Sequence, residues 1–308
     1  MMLWAGIDEA GYGPNLGPLV MTAIIAEGPD DRPPDIWADL ATTVSRAGGP
    51  PDRLWVDDSK AVFKARAGRD RLDAACMAAV EASGRGRIAT FGGLLDAVGA
   101  GTLADVELTP WIEADPPVWT SDTLSQPFSG ASWRIVEVTT VVIGPARFNA
   151  GLARVDSKAV VHFEVFAKLL RRVWERAAGG MASVVSDKHG GRHYYAGPLT
   201  DAMPDARVDR ITEGPNLSRY SITDHSRRLD LSLKPRADAG DGLVSLASLV
   251  SKSIRERWMD AFNAYWTAVI PGLKPTAGYP LDARRFREAI EPTCLRRGFE
   301  PATWWRSK

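Results

Sequence analysis

Residues 4–26, WAGIDEAGYGPNLGPLVMTAIIA, hold two apolar runs joined by a segment with three glycines and two prolines. The first run ends in two adjacent carboxylates, Asp8 and Glu9. Side chains on neighbouring strand residues point to opposite faces. Two such acids serve one site only if the backbone turns between or just after them. Gly11 and Gly13 are placed to supply the turn, because glycine adopts positive φ without steric cost. The stretch predicts a strand, a tight turn and a second strand, with negative charge gathered at the first strand's end.

The rest of the chain alternates similar runs with helical patterns. Residues 28–53 read as a loop around one short helix, bounded by proline clusters. In GRDRLDAACMAAVEAS, Leu72, Ala75, Met77 and Val80 recur at roughly helical spacing. Residues 100–131 carry prolines and aromatics without sustained period and read as an insertion. WRIVEVTTVVIG is rich in β-branched residues, as a strand is. A helix through SKAVVHFEVFAKLLRRVWERA presents Phe163, Phe166, Leu170 and Val173 on one face. MASVVSD reads as a short buried strand ending at Asp187, and RRLDLSLK as a strand whose Leu229, Leu231 and Leu233 share one buried face. The longest helical pattern follows, with Leu246, Val250, Ile254, Trp258, Phe262 and Trp266 at every fourth residue. Strands early with helices interleaved predict an α/β sheet protein. The echo between VDDSKAV (56–62) and VDSKAV (155–160) reads as two polar helix starts, not as a duplication.

At 308 residues the chain has ample material for a core. Lys+Arg and Asp+Glu balance at 38 each, so net charge announces no nucleic-acid partner and any basic surface is local. Cys76 and Cys294 are too few for a disulfide framework and lack metal-ligand spacing. With no charged leader before LWAGIDEAG and no run of about 18 apolar residues, the expectation is a soluble, cytoplasmic protein with no membrane association.

Three acidic stations share one context: Asp8 and Glu9 end a strand, Asp187 ends another, and Asp238 lies between a strand and the long helix. Ligand sites in α/β sheets form beyond the carboxyl ends of strands. Gathered carboxylates repel one another unless a cation sits among them. No run of His or Cys offers soft ligands, so hard oxygen donors point to Mg²⁺ or Mn²⁺. Taken singly, each station has a plainer reading. An Asp-Glu pair before glycine is commonly a turn, Asp187 before KHGG equally so, and Asp238 or Asp241 suits a helix cap. Of the four histidines, His162 reads as a core or edge residue of its helix. The His-x₃-His of DKHGGRH has no cysteines beside it and is a poor zinc signal. His189 and His193 stand next to Asp187, within reach of a leaving group there. Most tryptophans, Trp304 and Trp305 included, read as packing residues.

The order of the segments resembles the ribonuclease HII family. GIDEAGYGPNLGPLV is similar to its DEAGRGP signature with a following GPVV, and VDDSKAVF to its DDSK segment. PRADAGDGLVSLASLVSKSIRERWM resembles the segment written KAD or KGD, then AASI-AKV-RD, aligning without a gap from Asp238 to Lys252. AGYPLDA is similar to GYPT or GYGT, and VVSDKHG stands in the place of VDG. The matches run in family order from residue 4 to about 290. The resemblance implies a ribonuclease H-like fold, a mixed central β-sheet flanked by helices. It implies one catalytic domain over residues 1–290, with insertions at about 100–131 and 190–230 and a tail, 291–308, packed upon it.

The resemblance further implies an Mg²⁺- or Mn²⁺-dependent endoribonuclease acting on RNA–DNA hybrids or on single ribonucleotides in duplex DNA; a monomer is expected. Asp8, Glu9, Asp187 and Asp238 would be the catalytic, metal-binding acids. Gly11, Tyr12 and Gly13 would present backbone groups to the ribonucleotide 2′-hydroxyl, the group that separates RNA from DNA. Tyr279 would stack on the neighbouring deoxyribose, and Ser59, Lys60 and Lys252 would lie near the scissile phosphate, where lysine offers a point charge. The sequence departs from the pattern at Tyr12, which replaces an arginine and suits stacking on a base or sugar. At Lys188 it replaces a glycine and brings a positive charge to the metal site. Leu281 and Arg284 replace a threonine and a histidine. These departures keep open two alternatives, a nuclease of the same fold with a DNA-structure substrate and a nucleic-acid-binding protein without turnover.

Overall fold

The computed structural model describes residues 1–118, Phe128 and 132–307; part of the segment expected as the first insertion therefore lies outside the described residues. The chain opens with strands β1 (Met2–Ala10) and β2 (Leu19–Gly28), helix α1 (Ile36–Asp39) and two short strands, β3 (Val44–Ser45) and β4 (Leu54–Trp55). Helices α2 (Ser59–Lys64), α3 (Gly68–Val80) and α4 (Phe91–Ala97) follow, then β5 (Arg134–Ile143), α5 (Pro145–Val155), α6 (Lys158–Arg176) and β6 (Met181–Asp187). Next come α7 (Ala196–Ala202) and strands β7 (Arg207–Thr212), β8 (Ser218–Thr223) and β9 (Arg228–Lys234). The last helices are α8 (Gly242–Val269) and α9 (Pro280–Arg297).

Seven strands form one mixed sheet in the order β5-β2-β1-β6-β9-β8-β7. β6 runs parallel to β1 and to β9, and the other neighbours are antiparallel. β7 and β8 come from the stretch read as the second insertion and extend the sheet beyond β9. The hairpin of β1 and β2 sets Asp8 opposite Thr22 and Glu9 opposite Met21. β1 stays extended through both acids and turns only afterwards, at Gly11 (φ +87°) and Gly17 (φ +82°). Gly13 was expected to share the turn; it takes no positive φ and faces open space.

Two cores lie on the two faces of the sheet. β2 shows why its sequence is apolar throughout: Val20, Ile24 and Ala26 enter one core, while Leu19, Met21, Ala23 and Ile25 enter the other. A strand covered on both faces reads as a continuous hydrophobic run. The first core is built around α8, whose Leu246, Val250, Ile254, Trp258, Phe262 and Trp266 are all buried. Complete burial of side chains this large stabilises by roughly 2–3 kcal/mol each. At 28 residues α8 is about 42 Å long. The second core packs α6 through Phe163, Phe166, Leu170 and Val173.

Helix starts follow the local chemistry. Asp58 caps α2, accepting from the amides of Lys60 and Ala61, and Ser157 caps α6, accepting from Val160. The repeated SKAV echo is thus two helix starts. Asp241 caps α8 by accepting from Leu243 (3.0 Å) and Val244 (3.1 Å). Asp238 lies in a short 3-10 turn before it and is no cap to that helix. After α9 the chain returns over the fold, and Trp304 is completely buried. Among the described residues, no helix is long and apolar enough to cross a membrane.

Candidate active site

Three strands deliver the acids. Ile7 of β1 pairs with Ser186 of β6, so Asp8 and Asp187 are the next residues along two parallel neighbours. Asp187 in turn pairs with Lys234, the last residue of β9, and Asp238 follows in the turn before α8. All four acids therefore lie at one end of the sheet. The electrostatics agree: Asp8 feels Glu9 and Asp187, Asp187 feels Glu9, and Asp238 feels Asp187 and Asp58.

Burial pushes the Asp8 carboxyl well above its ordinary range, and the neighbouring charge of Glu9 raises it further. Burial also raises Asp187, opposed by the amides of Lys188, Arg236 and Ala237 that its carboxylate accepts. Asp238 is raised by burial, then by Asp58 and Asp187, with Lys60 pulling the other way. For all three, burial and neighbouring carboxylates outweigh the hydrogen bonds and the Lys60 charge, and every donor among them is a hard oxygen. That set suits Mg²⁺ or Mn²⁺ in chemistry, and a cation would relieve the repulsion. Among the described residues, no three Asp, Glu, His or Cys side chains are drawn together closely enough to enclose one ion.

Helix α8 turns a row of hydroxyls, at every third residue, toward Asp8 and Asp238. Ser245 donates to the carbonyl of Asp238 (2.6 Å). Ser248 hydrogen-bonds the Asp8 carboxylate and lies 3.0 Å from the Ser59 hydroxyl. Ser251 reaches the Asp8 carbonyl (3.1 Å) and Thr22 (2.9 Å), which in turn meets Thr140 at 2.9 Å. α8 can come this close because Gly6 has no side chain: a Cβ there would lie 2.2 Å from the Leu243 carbonyl carbon and 2.3 Å from the Val244 nitrogen.

Glu9 faces the opposite side. Its carboxylate lies 3.5 Å from His162 Nε2 of α6. His162 packs edge-on against Tyr12 (4.7 Å) and His189 (4.6 Å), and among the described residues neither histidine ring has a hydrogen-bond partner. Burial holds His189 well below the ordinary imidazole range. His162, read as a core or edge residue, is buried and also adjoins an acid of the site.

Beside the acids is a cleft of about 240 Å³ lined by Glu9, the loop 10–14, Ser59, Lys60, Lys252, Arg255 and Tyr279. The seven residues proposed for substrate contact thus share one depression with Glu9. Two larger depressions, of about 590 and 890 Å³, lie against α6 and α7 and against the far half of α8; the four acids line neither. Tyr279 is half exposed at the rim and Lys60 is exposed. Lys252 pairs with Glu256 (2.5 Å). Two expectations change. The ring of Tyr12 is occupied within the protein, with Lys158 Nζ 4.8 Å from its centroid and His162 against its edge. Lys188 turns away from the acids: its ammonium donates to the Gly214 carbonyl (2.7 Å) and Ser218 hydroxyl (2.8 Å).

Sequence reading missed Gly6, the three serines, Asp58 as a neighbour of Asp238, and Arg306, which donates to the carbonyls of Gly11 and Tyr12. A serine at 245, 248 and 251 in an otherwise apolar helix was a visible signal; nothing near residue 306 in the sequence marks that arginine.

The sheet order, the flanking helices and acids at the strand ends define a ribonuclease H-like α/β fold. Against known proteins, no family model matches the chain and no curated protein does. Solved structures do match. Bst-RNase HIII in complex with Mn²⁺ aligns with a TM-score of 0.50 and 15% identity, covering 99% of this chain and 66% of that one. RNase HII from Archaeoglobus fulgidus, in a structure with PCNA, aligns at 0.49 and 17% identity over 100% of this chain and 95% of that one. Ribonuclease H2 from Pyrococcus horikoshii aligns at 0.47 and 16% identity over 98% and 92%. The fold is the one the sequence motifs predict, shared with Bst-RNase HIII.

Proposed function

We propose that this chain is a metal-dependent endoribonuclease of the ribonuclease HII type, cutting on the 5′ side of a ribonucleotide in an RNA–DNA hybrid or in duplex DNA to leave a 3′-hydroxyl and a 5′-phosphate. The observation that carries this reading is the placement of Asp8, Glu9, Asp187 and Asp238 at the same end of the sheet, beside a cleft lined by the glycine loop, Ser59, Lys60, Lys252 and Tyr279. Asp8, Glu9, Asp187 and Asp238 would hold Mg²⁺ or Mn²⁺, whose chemistry there would be activation of water and charge stabilisation at the leaving oxygen. The crystallised likeness to a Mn²⁺-bound RNase HIII is consistent with that choice of ion.

The chain's own residues supply the rest. The glycine loop offers backbone groups to the 2′-hydroxyl, at a place where glycine permits close approach. Lys60 and Lys252 offer charge to the phosphates flanking the cut, and Tyr279, half exposed, offers a ring face to a sugar. Ser248 and Ser251 fix the carboxylate and carbonyl of Asp8.

The test uses three duplexes, holding one ribonucleotide, a run of ribonucleotides or none, incubated with Mg²⁺, Mn²⁺ or EDTA. Cleavage of the first two only, abolished by EDTA, is the expected result. Equal cleavage of the all-DNA duplex would replace the substrate with a DNA structure, and binding without cleavage under either metal would remove the activity. Asp8→Asn should lower cleavage by about three orders of magnitude while sparing duplex binding.

A further inference from the structure

We propose that Arg306 is a positioning residue for substrate recognition: its guanidinium fixes the carbonyls of Gly11 and Tyr12, and so aims the opposite, amide-bearing edge of the glycine loop at the cleft. The inference rests on reading that cleft as the ribonucleotide site.

Arg306 is completely buried, 295 residues along the chain from Gly11. Its Nη1 donates to the Gly11 carbonyl (2.5 Å) and its Nη2 to the Tyr12 carbonyl (3.2 Å), while its plane lies 3.9 Å over the Phe148 ring of α5. The backbone completes the clasp: Arg306 N donates to the Asn15 carbonyl (2.8 Å), and Asn15 Nδ2 donates back to the Arg306 carbonyl (3.1 Å). From the other side, the amides of Asn15 (2.9 Å) and Leu16 (3.3 Å) donate to the Gly278 carbonyl, next to Tyr279. The loop is thus gripped at both ends by segments from late in the chain.

What the grip leaves free points to its purpose. Among the described residues, the amides of Tyr12 and Gly13 have no acceptor within the protein, although the carbonyls of Gly11 and Tyr12 are both taken. A loop whose acceptors are satisfied behind and whose donors are free in front is prepared to receive an oxygen atom. Two adjacent carbonyls also call for a fork of donors, which a guanidinium provides and an ammonium does not. Burial lowers the guanidinium pKa to about 9, which leaves it charged at neutral pH.

Asn149 provides a second handle. Its amide nitrogen donates to the carbonyls of Ala302 (2.9 Å) and Trp305 (2.8 Å), and its oxygen accepts from Ser307 N (2.8 Å), which holds the segment bearing Arg306. R306K keeps the charge and loses the fork; N149A keeps Arg306 and loosens its support, so the test does not depend on the folding of a single variant. Binding of a single-ribonucleotide duplex and an all-DNA duplex is measured by fluorescence anisotropy, alongside steady-state kinetics and hydrogen exchange of the loop without nucleic acid. For R306K the preference for the ribonucleotide duplex should fall about tenfold, with all-DNA binding within about twofold, KM changing more than kcat, and residues 11–14 exchanging faster. N149A should shift each readout the same way by about threefold. Unchanged preference and unchanged exchange in both variants would overturn the proposal, as would equal loss of both duplexes together with Tm, the mark of a merely structural role. Should the unmodified protein show no ribonucleotide preference, the proposed function falls, while exchange at residues 11–14 still decides whether Arg306 clamps the loop.

Discussion

Asp8 and Glu9 are neighbours in the chain and strangers in their surroundings. Asp8 points to α8, where Ser248 and Ser251 bind its carboxylate and carbonyl and a hydroxyl chain continues through Thr22 to Thr140. Glu9 points to α6, where it meets His162 at 3.5 Å, and among the described residues the rings of His162 and His189 make no hydrogen bond. One acid is held by hydrogen bonds and the other is bordered by aromatic packing. The difference teaches that a strand end splits a pair of carboxylates between two cores, one side held by hydrogen bonds and the other by packing alone. If so, substitutions on the α8 face cost much and those on the α6 face cost little.

The hardest blow to the α8 face is Gly6→Ala. The new methyl would lie 2.2–2.6 Å from the backbone of Leu243 and Val244, which cannot swing aside as a side-chain tip does. The helix has to shift from β1, taking its serines with it. We expect a loss of about 3 kcal/mol or more in urea denaturation, with cleavage falling alongside. A variant of undiminished stability would show that α8 is not seated on the strand as described. Ser251→Ala is gentler. It strips a buried hydroxyl from between the Asp8 carbonyl and Thr22, at an expected cost of about 1–2 kcal/mol. Indifference to this change would mean the hydroxyl chain stabilises nothing.

Those two residues also mark how far the sequence was readable. The strands, the long helix and the three acidic stations were legible because their signals are local: period-two and period-four apolar patterns, and carboxylates at run ends. The seven cleft residues were legible only through the order of the motifs, since nothing in Lys60 or Tyr279 alone says that they adjoin. Asp238 and Asp241 were indistinguishable as cap candidates, and three-dimensional placement separated them: Asp241 caps α8, Asp238 faces Asp187. Gly6, Arg306 and the direction of Lys188 were illegible because each is fixed by a partner distant in the chain, the backbone of Leu243 and Val244, the carbonyls of Gly11 and Tyr12, and Gly214 with Ser218. Position 188 shows the limit well, since a lysine beside an acid in sequence donates to the far side in space.

Asp8→Asn sharpens the comparison through pH. Burial and Glu9 raise the folded carboxyl well above its ordinary value of 3.8, so the folded state binds the proton more tightly than the unfolded one. Stability from this group is therefore greatest below pH 3.8 and is lost as pH rises through the raised value. Asparagine removes the desolvated charge. Measured in EDTA, the variant should be more stable than the parent at pH 8, by the order of 1 kcal/mol, and the gain should shrink as the pH falls toward 4. A gain independent of pH, or a loss at pH 8, would mean that the hydroxyls of α8 already compensate the carboxylate.

The smallest effect is the most pointed. His162→Phe replaces a buried ring without hydrogen bonds by an apolar ring of similar shape. Exchanging an unpartnered polar group for a hydrocarbon is close to neutral, so we expect stability within about 0.5 kcal/mol of the parent. The edge contacts with Tyr12 and His189 are of a kind phenylalanine can keep. If the α6 face merely borders Glu9, cleavage should also stay within about threefold, and a plain urea titration beside a cleavage assay reads both quantities. A large loss of stability would mean that His162 is held by hydrogen bonds after all, and the two faces would then be alike. A loss of cleavage at unchanged stability would instead give the 3.5 Å approach of Nε2 to Glu9 a part in placing that carboxylate. The contrast between the faces would then lie in how each acid is oriented, by hydroxyls on one side and by an imidazole on the other.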